Sequence, residues 1–290
     1  MDLGGTGVWS PAFRFGDPAE AVDAAAELDG LGYTAVWVPD IGGDLFGPLA
    51  VLLGVTRRLV VATGILNIWM HEAPEVAARH AELTAAHGPR LLLGLGVSHA
   101  PLIDADSPGR YRRPVEVMIS YLDQLDAAPT PVARDHRVLA ALGPRMLGLS
   151  RERAGGAHPY LVTPEHTARA REALGPGPLL APEQAVVLEG DAATARQVAR
   201  AHLAIYLTLP NYLNNLRRLG FADDDFAAGG SDRLADAIVA WGDEEAVRRR
   251  VQEHRDAGAD HVCVQVLSTA SQPFPRDDWR RLASVLVGRE

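Results

Sequence analysis

The sequence holds a single cysteine, Cys263, among 290 residues. No intrachain disulfide can form and no cysteine-based metal site is possible. Within the apolar run from His261 to Leu267 the thiol reads as a small buried hydrophobe. Basic charge is also short: 28 Lys and Arg against 37 Asp and Glu leave a net charge of −9. That balance is the reverse of the basic face a nucleic-acid binder needs. No run approaches the roughly 18 apolar residues that cross a bilayer. The first residues, Met1 to Gly7, lack a basic region followed by an apolar one, so no secretory signal is expected and a cytoplasmic location is. Repeats, low-complexity tracts and linkers are missing too; Pro176-Gly177-Pro178 is too short to separate two cores. One domain over residues 1–290 is the expectation.

What is present is an alternation of short β-type runs with helical ones. Strands are expected at Gly5 to Trp9, Tyr33 to Val38, Leu59 to Gly64, Arg90 to Gly96, Arg137 to Leu142, His158 to Val162, Ala185 to Leu188 and His261 to Leu267. Asp17-Pro18 opens a helix that stops near Gly32, because Asp caps well and Pro suits the first helical position. Further helices are expected over Phe46 to Val55, Ala73 to His87, Arg113 to Ala127, Pro144 to Ala154 and Pro164 to Gly175. A long region from Asp191 to about Gly220 should break near Pro210. The last two helices are Asp243 to Gly258 and Asp277 to Leu286. The strands are mostly continuously apolar, as in parallel sheets covered on both faces. Eight such βα units favour a single (β/α)8 TIM barrel with a helical elaboration around strand seven, an open doubly wound sheet being the alternative. The elaboration, Thr208 to Gly230, reads either as plain helical packing or as a lid or subunit contact.

In a barrel the residues at the C-terminal ends of the strands share one mouth. Here they include Trp9, Asp40, Gly64, Asn67, Trp69, His71, Ser98, His99, Gly143, Arg145, Thr163, His166 and Thr167. His71, His99 and His166 could converge on a metal, but no His-Glu-x-x-His pair exists and no metal is expected. A Gly-x-Ser-x-Gly elbow is missing, which disfavours Ser98 as a nucleophile. Only Asp40 is placed as a glycosidase carboxylate would be, and two are needed. An aromatic, polar, glycine-containing mouth instead suits a planar ring cofactor with a phosphorylated tail. Amides at the start of the Pro164 helix, with Thr163, His166 and Thr167, could take the phosphate; Thr163 could equally be an ordinary N-cap.

These segments together resemble the luciferase-like monooxygenase superfamily, in its coenzyme F420-dependent branch. The likeness rests on Tyr33 to Asp40, Ala62 to Trp69, Leu92 to His99, Ala141 to Leu147, His158 to Thr167 and Asp256 to Val262, in that order along nearly the whole chain. It implies a barrel holding coenzyme F420, or FMN, at its mouth. It implies a non-prolyl cis peptide behind the ring at Gly64–Ile65, with Asn67 close by. Cofactor contacts would come from Asp40, Gly64, Ile65, Asn67, Gly96, Ser98, Gly143, Arg145, Thr163, His166 and Thr167, and substrate contacts from Trp9, Trp69 and Tyr212. Sugar-phosphate dehydrogenases of the family carry a histidine after the acid of strand two, where this chain has Ile41, and a glutamate after strand four, where it has Ser98-His-Ala-Pro101. A family Ala-Asp-Gly is Ala157-His158-Pro159 here. The departures argue against sugar-phosphate oxidation and leave His71 and His99 as candidates for proton transfer. The expected activity is hydride transfer between F420 and a small organic substrate, as a reductase. An FMN-dependent monooxygenase and a non-catalytic binding barrel are the alternatives. The resemblance also implies a homodimer, with the second and third helices as its interface.

Overall fold

The computed structural model describes residues 3–268 and 273–288. Its strands are β1 (Thr6–Trp9), β2 (Ala35–Val38), β3 (Val60–Thr63), β4 (Leu66–Asn67), β5 (Leu91–Gly96), β6 (Arg137–Leu139), β7 (Gly156–Ala157), β8 (Leu179–Leu180), β9 (Glu183–Val187), β10 (Val239–Trp241) and β11 (Val262–Val266). They pair in parallel in the order β10–β9–β11–β1–β2–β3–β5–β6–β7–β8, with β4 also on β5.

Alternation along each strand builds two layers of core. Trp9, Ala35, Trp37, Ala62, Leu92, Val138, Ala181 and Cys263 meet in one buried cluster. Their neighbours Val8, Val36, Val61, Leu91 and Val264 pack under the helices in another. Residues from seven segments of one sheet can share a cluster only if the sheet curls around it. One end of the path, β8, is followed in sequence by β9, the strand next to the other end: only Ala181 and Pro182 separate the two. The amides of Leu179, Ala181 and Glu183 bond the carbonyls of Gly155, Ala157 and Pro159, while Pro182 and Val186 accept from Cys263 and Leu267. The stretch 179–187 therefore joins the β7 edge to the β11 edge.

Local chemistry sets the helix ends. Asp17 accepts from the amides of Ala19 and Glu20, Pro18 starts the helix Pro18–Leu31, and Gly32 ends it at φ 90°. The helices Phe46–Val55 and Ala73–His87 lie where their patterns place them. Residues after Tyr206 leave the helix and Pro210 starts another, Pro210–Arg218, as the Pro210 break anticipates.

Other expectations are corrected. Strand six is not His158 to Val162: the sheet takes only Gly156–Ala157, because Pro159 has no N–H to donate and Leu161 turns to φ 57°. Strand five stops at Leu139. Strand seven runs earlier than Ala185 to Leu188 and is divided at Pro182. The loop after β5 contains a helix, Ala100–Asp106, and a further helix, Asp232–Ile238, precedes β10.

Candidate active site

A cavity of about 480 Å³ opens where the strands end. Trp9 reaches it from β1, Asp40 from behind β2, Gly64 from behind β3, Gly96 from β5, and Gly143 and Tyr160 from behind β6 and β7. The volume lies within the range of small-molecule sites.

Asp40 is a hub. Its carboxylate accepts from His71 Nε2 at 2.8 Å, from the Asn67 amide at 3.0 Å, from the Gly42 amide at 3.2 Å and from Arg14 Nη1 at 3.5 Å. Burial pushes this carboxyl up, but the hydrogen bonds from His71, Asn67 and Gly42 outweigh it and leave its pKa below the ordinary value.

One wall is backbone. The Gly64–Ile65 peptide is cis, and the Trp9 indole donates to the Gly64 carbonyl at 2.9 Å. A Cβ on Gly64 would lie 2.7 Å from Trp9 Nε1, and one on Gly96 2.4 Å from Ile65 Cδ1. Both positions need glycine because the space is filled. Beneath, His158 stacks on Trp37 with ring centres 4.1 Å apart and donates from Nδ1 to the Ala181 carbonyl at 2.7 Å. Burial pushes its pKa down to about 4.

The opposite wall is aromatic. Tyr160 donates to Gln265 Oε1 at 2.7 Å, and its oxygen lies 2.8 Å from the Tyr206 hydroxyl. The Tyr212 ring stands edge-on to Tyr206 at 5.2 Å. Under this cluster sits Glu183, fully buried, with one oxygen accepting from the Leu161 amide at 3.2 Å. Burial pushes its pKa up to about 8, so the carboxyl is largely neutral at pH 7.

The model of the luciferase-like monooxygenase family matches residues 3–130. Solved structures with the same fold cover nearly the whole chain. An F420-dependent secondary alcohol dehydrogenase, in complex with an F420-acetone adduct, superposes with a TM-score of 0.76 at 13% identity, covering 97% of this chain and 98% of that one. The coenzyme F420-dependent tetrahydromethanopterin reductase from Methanopyrus kandleri gives 0.76 at 16% identity and 99% of both chains. The oxygenating constituent of 3,6-diketocamphane monooxygenase from Pseudomonas putida, in complex with FMN, gives 0.66 at 14% identity and 98% of both. A search of curated protein sequences finds no match.

Trp9, Asp40, Gly64, Ile65, Asn67, Gly96, Ser98, His99, Gly143 and Tyr212 all line the cavity, as their places in the sequence suggest. The others stand back. His71 spends Nε2 on Asp40 and acts on the cavity only through it. Trp69 donates to the Val97 carbonyl at 2.7 Å, behind the wall. Arg145 is exposed and pairs with Glu116 at 3.2 Å. The segment read as a phosphate site is used internally: Thr163 caps its own helix, His166 Nε2 bonds the Leu142 carbonyl at 2.9 Å, and Thr167 bonds His254 at 2.8 Å.

Several lining residues escaped the sequence reading: Tyr160, Tyr206, Asn211, Asn214, Arg218 and His158. Asn211, Asn214 and Arg218 share one face of the helix Pro210–Arg218, and their polar spacing was the available signal. The Arg218 guanidinium approaches Gly143, whose Cβ would lie 3.4 Å from Nη1. Gly143 is also the N-cap of the helix Pro144–Arg153. A helix N-terminus beside a guanidinium suits a phosphate. The glycine wall, the aromatic wall and this cationic corner fit a flat heterocycle with a phosphorylated tail.

Proposed function

We propose that this chain is a coenzyme F420-dependent oxidoreductase, acting as a reductase of a small organic substrate, on a single closed (β/α)8 barrel. Closure is supported by the stretch 179–187, hydrogen-bonded to the strands on either side. The observation that carries the cofactor reading is the distribution of charge at the mouth. In a chain of net charge −9, the exposed Arg110, Arg112 and Arg113 flank Tyr111, which lines the cavity, while Arg218 lines it directly. F420 carries a phosphate and a glutamyl tail, both anionic, and needs more cations outside the ring pocket than FMN does.

When bound, the deazaflavin would supply the hydride. The chain's own residues would hold it: Gly64, Ile65 and Gly96 against the ring, Gly143 and Arg218 at the phosphate, and the Arg110 to Arg113 segment along the tail. Ile41, Leu102 and Ile205 edge the cavity while 69%, 56% and 67% exposed. Such side chains suit a substrate with an apolar body. An FMN-dependent monooxygenase is the second reading, favoured by the identity of the matching family model. The functional unit is proposed to be a homodimer, to which the exposed Val51 and Val55 of the second helix would contribute.

Fluorescence titration separates the two cofactors. F420 should bind more tightly than FMN and weaken steeply with salt, because the tail contacts are exposed. The double variant Arg112→Glu/Arg113→Glu should loosen F420 about tenfold or more, roughly 1.4 kcal/mol, and leave FMN nearly unchanged. Tighter binding of FMN by the wild type reverses the order of the two readings.

A further inference from the structure

His99 lines the cavity from the loop after β5, and Asn211 lines it from the helix Pro210–Arg218. The Asn211 Nδ2 donor group lies 3.3 Å from His99 Nδ1, 3.4 Å from the Ser98 carbonyl and 3.4 Å from the Tyr111 hydroxyl oxygen. Tyr111 in turn donates to the Ser98 carbonyl at 3.3 Å.

The directions of these bonds follow from one group. A carbonyl oxygen can only accept, so Ser98 takes the Tyr111 proton and faces the amide nitrogen of Asn211, not its oxygen. Turning the amide over would set two acceptor oxygens against each other. With the nitrogen fixed as donor, a proton on His99 Nδ1 would point at another N–H, 3.3 Å away between nitrogens, so Nδ1 carries none. The proton of a neutral imidazole then sits on Nε2. That nitrogen has no hydrogen-bond partner among the described residues. The ring is half-buried, with Tyr212 at 5.0 Å on one side.

We infer that Asn211 is a positioning residue that locks His99 as an Nε2–H donor toward the cavity, and that the substrate presents a lone-pair atom there, a carbonyl oxygen or an imine nitrogen on an apolar body. This rests on the proposed reductase function, for which such groups are the reducible ones. Burial pushes the His99 pKa down to about 4, which keeps the ring neutral at pH 7. In this state His99 polarises an acceptor by hydrogen bonding and is not the proton-accepting base.

The test is nitrogen-15 NMR of the full chain labelled at histidine, with His99 assigned by loss of its signals in His99→Gln. In the wild type at pH 7 its Nε2 should resonate as protonated and Nδ1 as unprotonated. Asn211→Asp, which can only accept, should move the proton to Nδ1, and Asn211→Ala should give a mixture of both forms. An Nδ1-protonated wild type, or a pattern unchanged in both variants, overturns the lock. The donor role is probed by the dissociation constants, not the turnover, of cyclohex-2-enone against cyclohexene, because an unpolarised alkene accepts no hydride. The wild type should prefer the enone about tenfold, His99→Phe should lose the preference, and His99→Gln should keep part of it through its amide N–H. Absence of any preference in the wild type overturns that role. F420 binding is followed separately on the same samples. A correct tautomer without F420 binding sinks the functional reading and leaves the lock standing.

Discussion

Asp40 fills its hydrogen-bonding capacity with four donors, two of them on the side chains Arg14 and His71. Removing its charge strands a guanidinium whose side chain is 3% exposed. Asp40→Asn should therefore cost about 3–5 kcal/mol, the range for breaking a buried pair, read as a lower midpoint in urea. Glu183 makes the converse case. Its pKa is raised to about 8, so the folded state holds a proton that the unfolded chain releases above its ordinary value. Its contribution to stability is present below the unfolded pKa and is lost as pH rises through 8. Glu183→Gln keeps the shape without the charge. It should stabilise the fold at pH 8 by roughly 1–3 kcal/mol and do little at pH 4.5. Equal effects at both pH values would show that the carboxyl is not held neutral. At this scale the sequence was half legible. Asp40 and His99 could be picked out because strand ends in a curled parallel sheet converge. His158, Asn211 and Arg218 could not, because the first lies just past an irregular end of β7 and the others on a helix whose docking depends on tertiary packing.

Elements were legible where local chemistry agrees with the fold. Asp17-Pro18 and Gly32 bracket a helix because cap, first-turn proline and left-handed stop act in concert. They were illegible where backbone overrides composition. The stretch from His158 to Val162 is apolar enough for a strand, yet Pro159 and the φ of 57° at Leu161 end the sheet early. In the other direction, β10 hides behind the helix Asp232–Ile238, whose apolar pattern runs on into Val239–Trp241. Thr163, proposed from sequence for both capping and phosphate binding, accepts from the His166 amide at 3.3 Å. Thr163→Ala should cost about 1 kcal/mol of stability, the usual worth of such a cap, measured by denaturant titration. F420 affinity should stay within twofold, since the phosphate is proposed to sit at Gly143 and Arg218. A tenfold loss of affinity would return the phosphate to the Pro164–Leu174 helix.

Across the molecule, burial depresses the histidines as a group. His99, His158, His202 and His261 are pushed down to about 4 and His254 to about 3. Each takes up a proton on unfolding before it can do so in the fold. Stability should then be retained above pH 6.5 and fall as pH drops from 6.5 toward 4, by up to about 1.4 kcal/mol per pH unit for each fully depressed histidine. Melting temperatures across pH 4 to 7 check this, and a flat profile would contradict it. The fold as a whole was readable because its apolar strands recur between helices along the entire chain. The division of strand seven at Pro182 was not.

The cavity at the strand ends is proposed to hold a deazaflavin. A crystal structure of the chain with coenzyme F420 tests it directly. The ring is expected against Gly64–Ile65 and Gly96, the phosphate between Gly143 and Arg218, and the tail leaving past Arg112 and Arg113. A cavity that stays empty at saturating F420, or a phosphate held at Thr163 to Thr167, would contradict it.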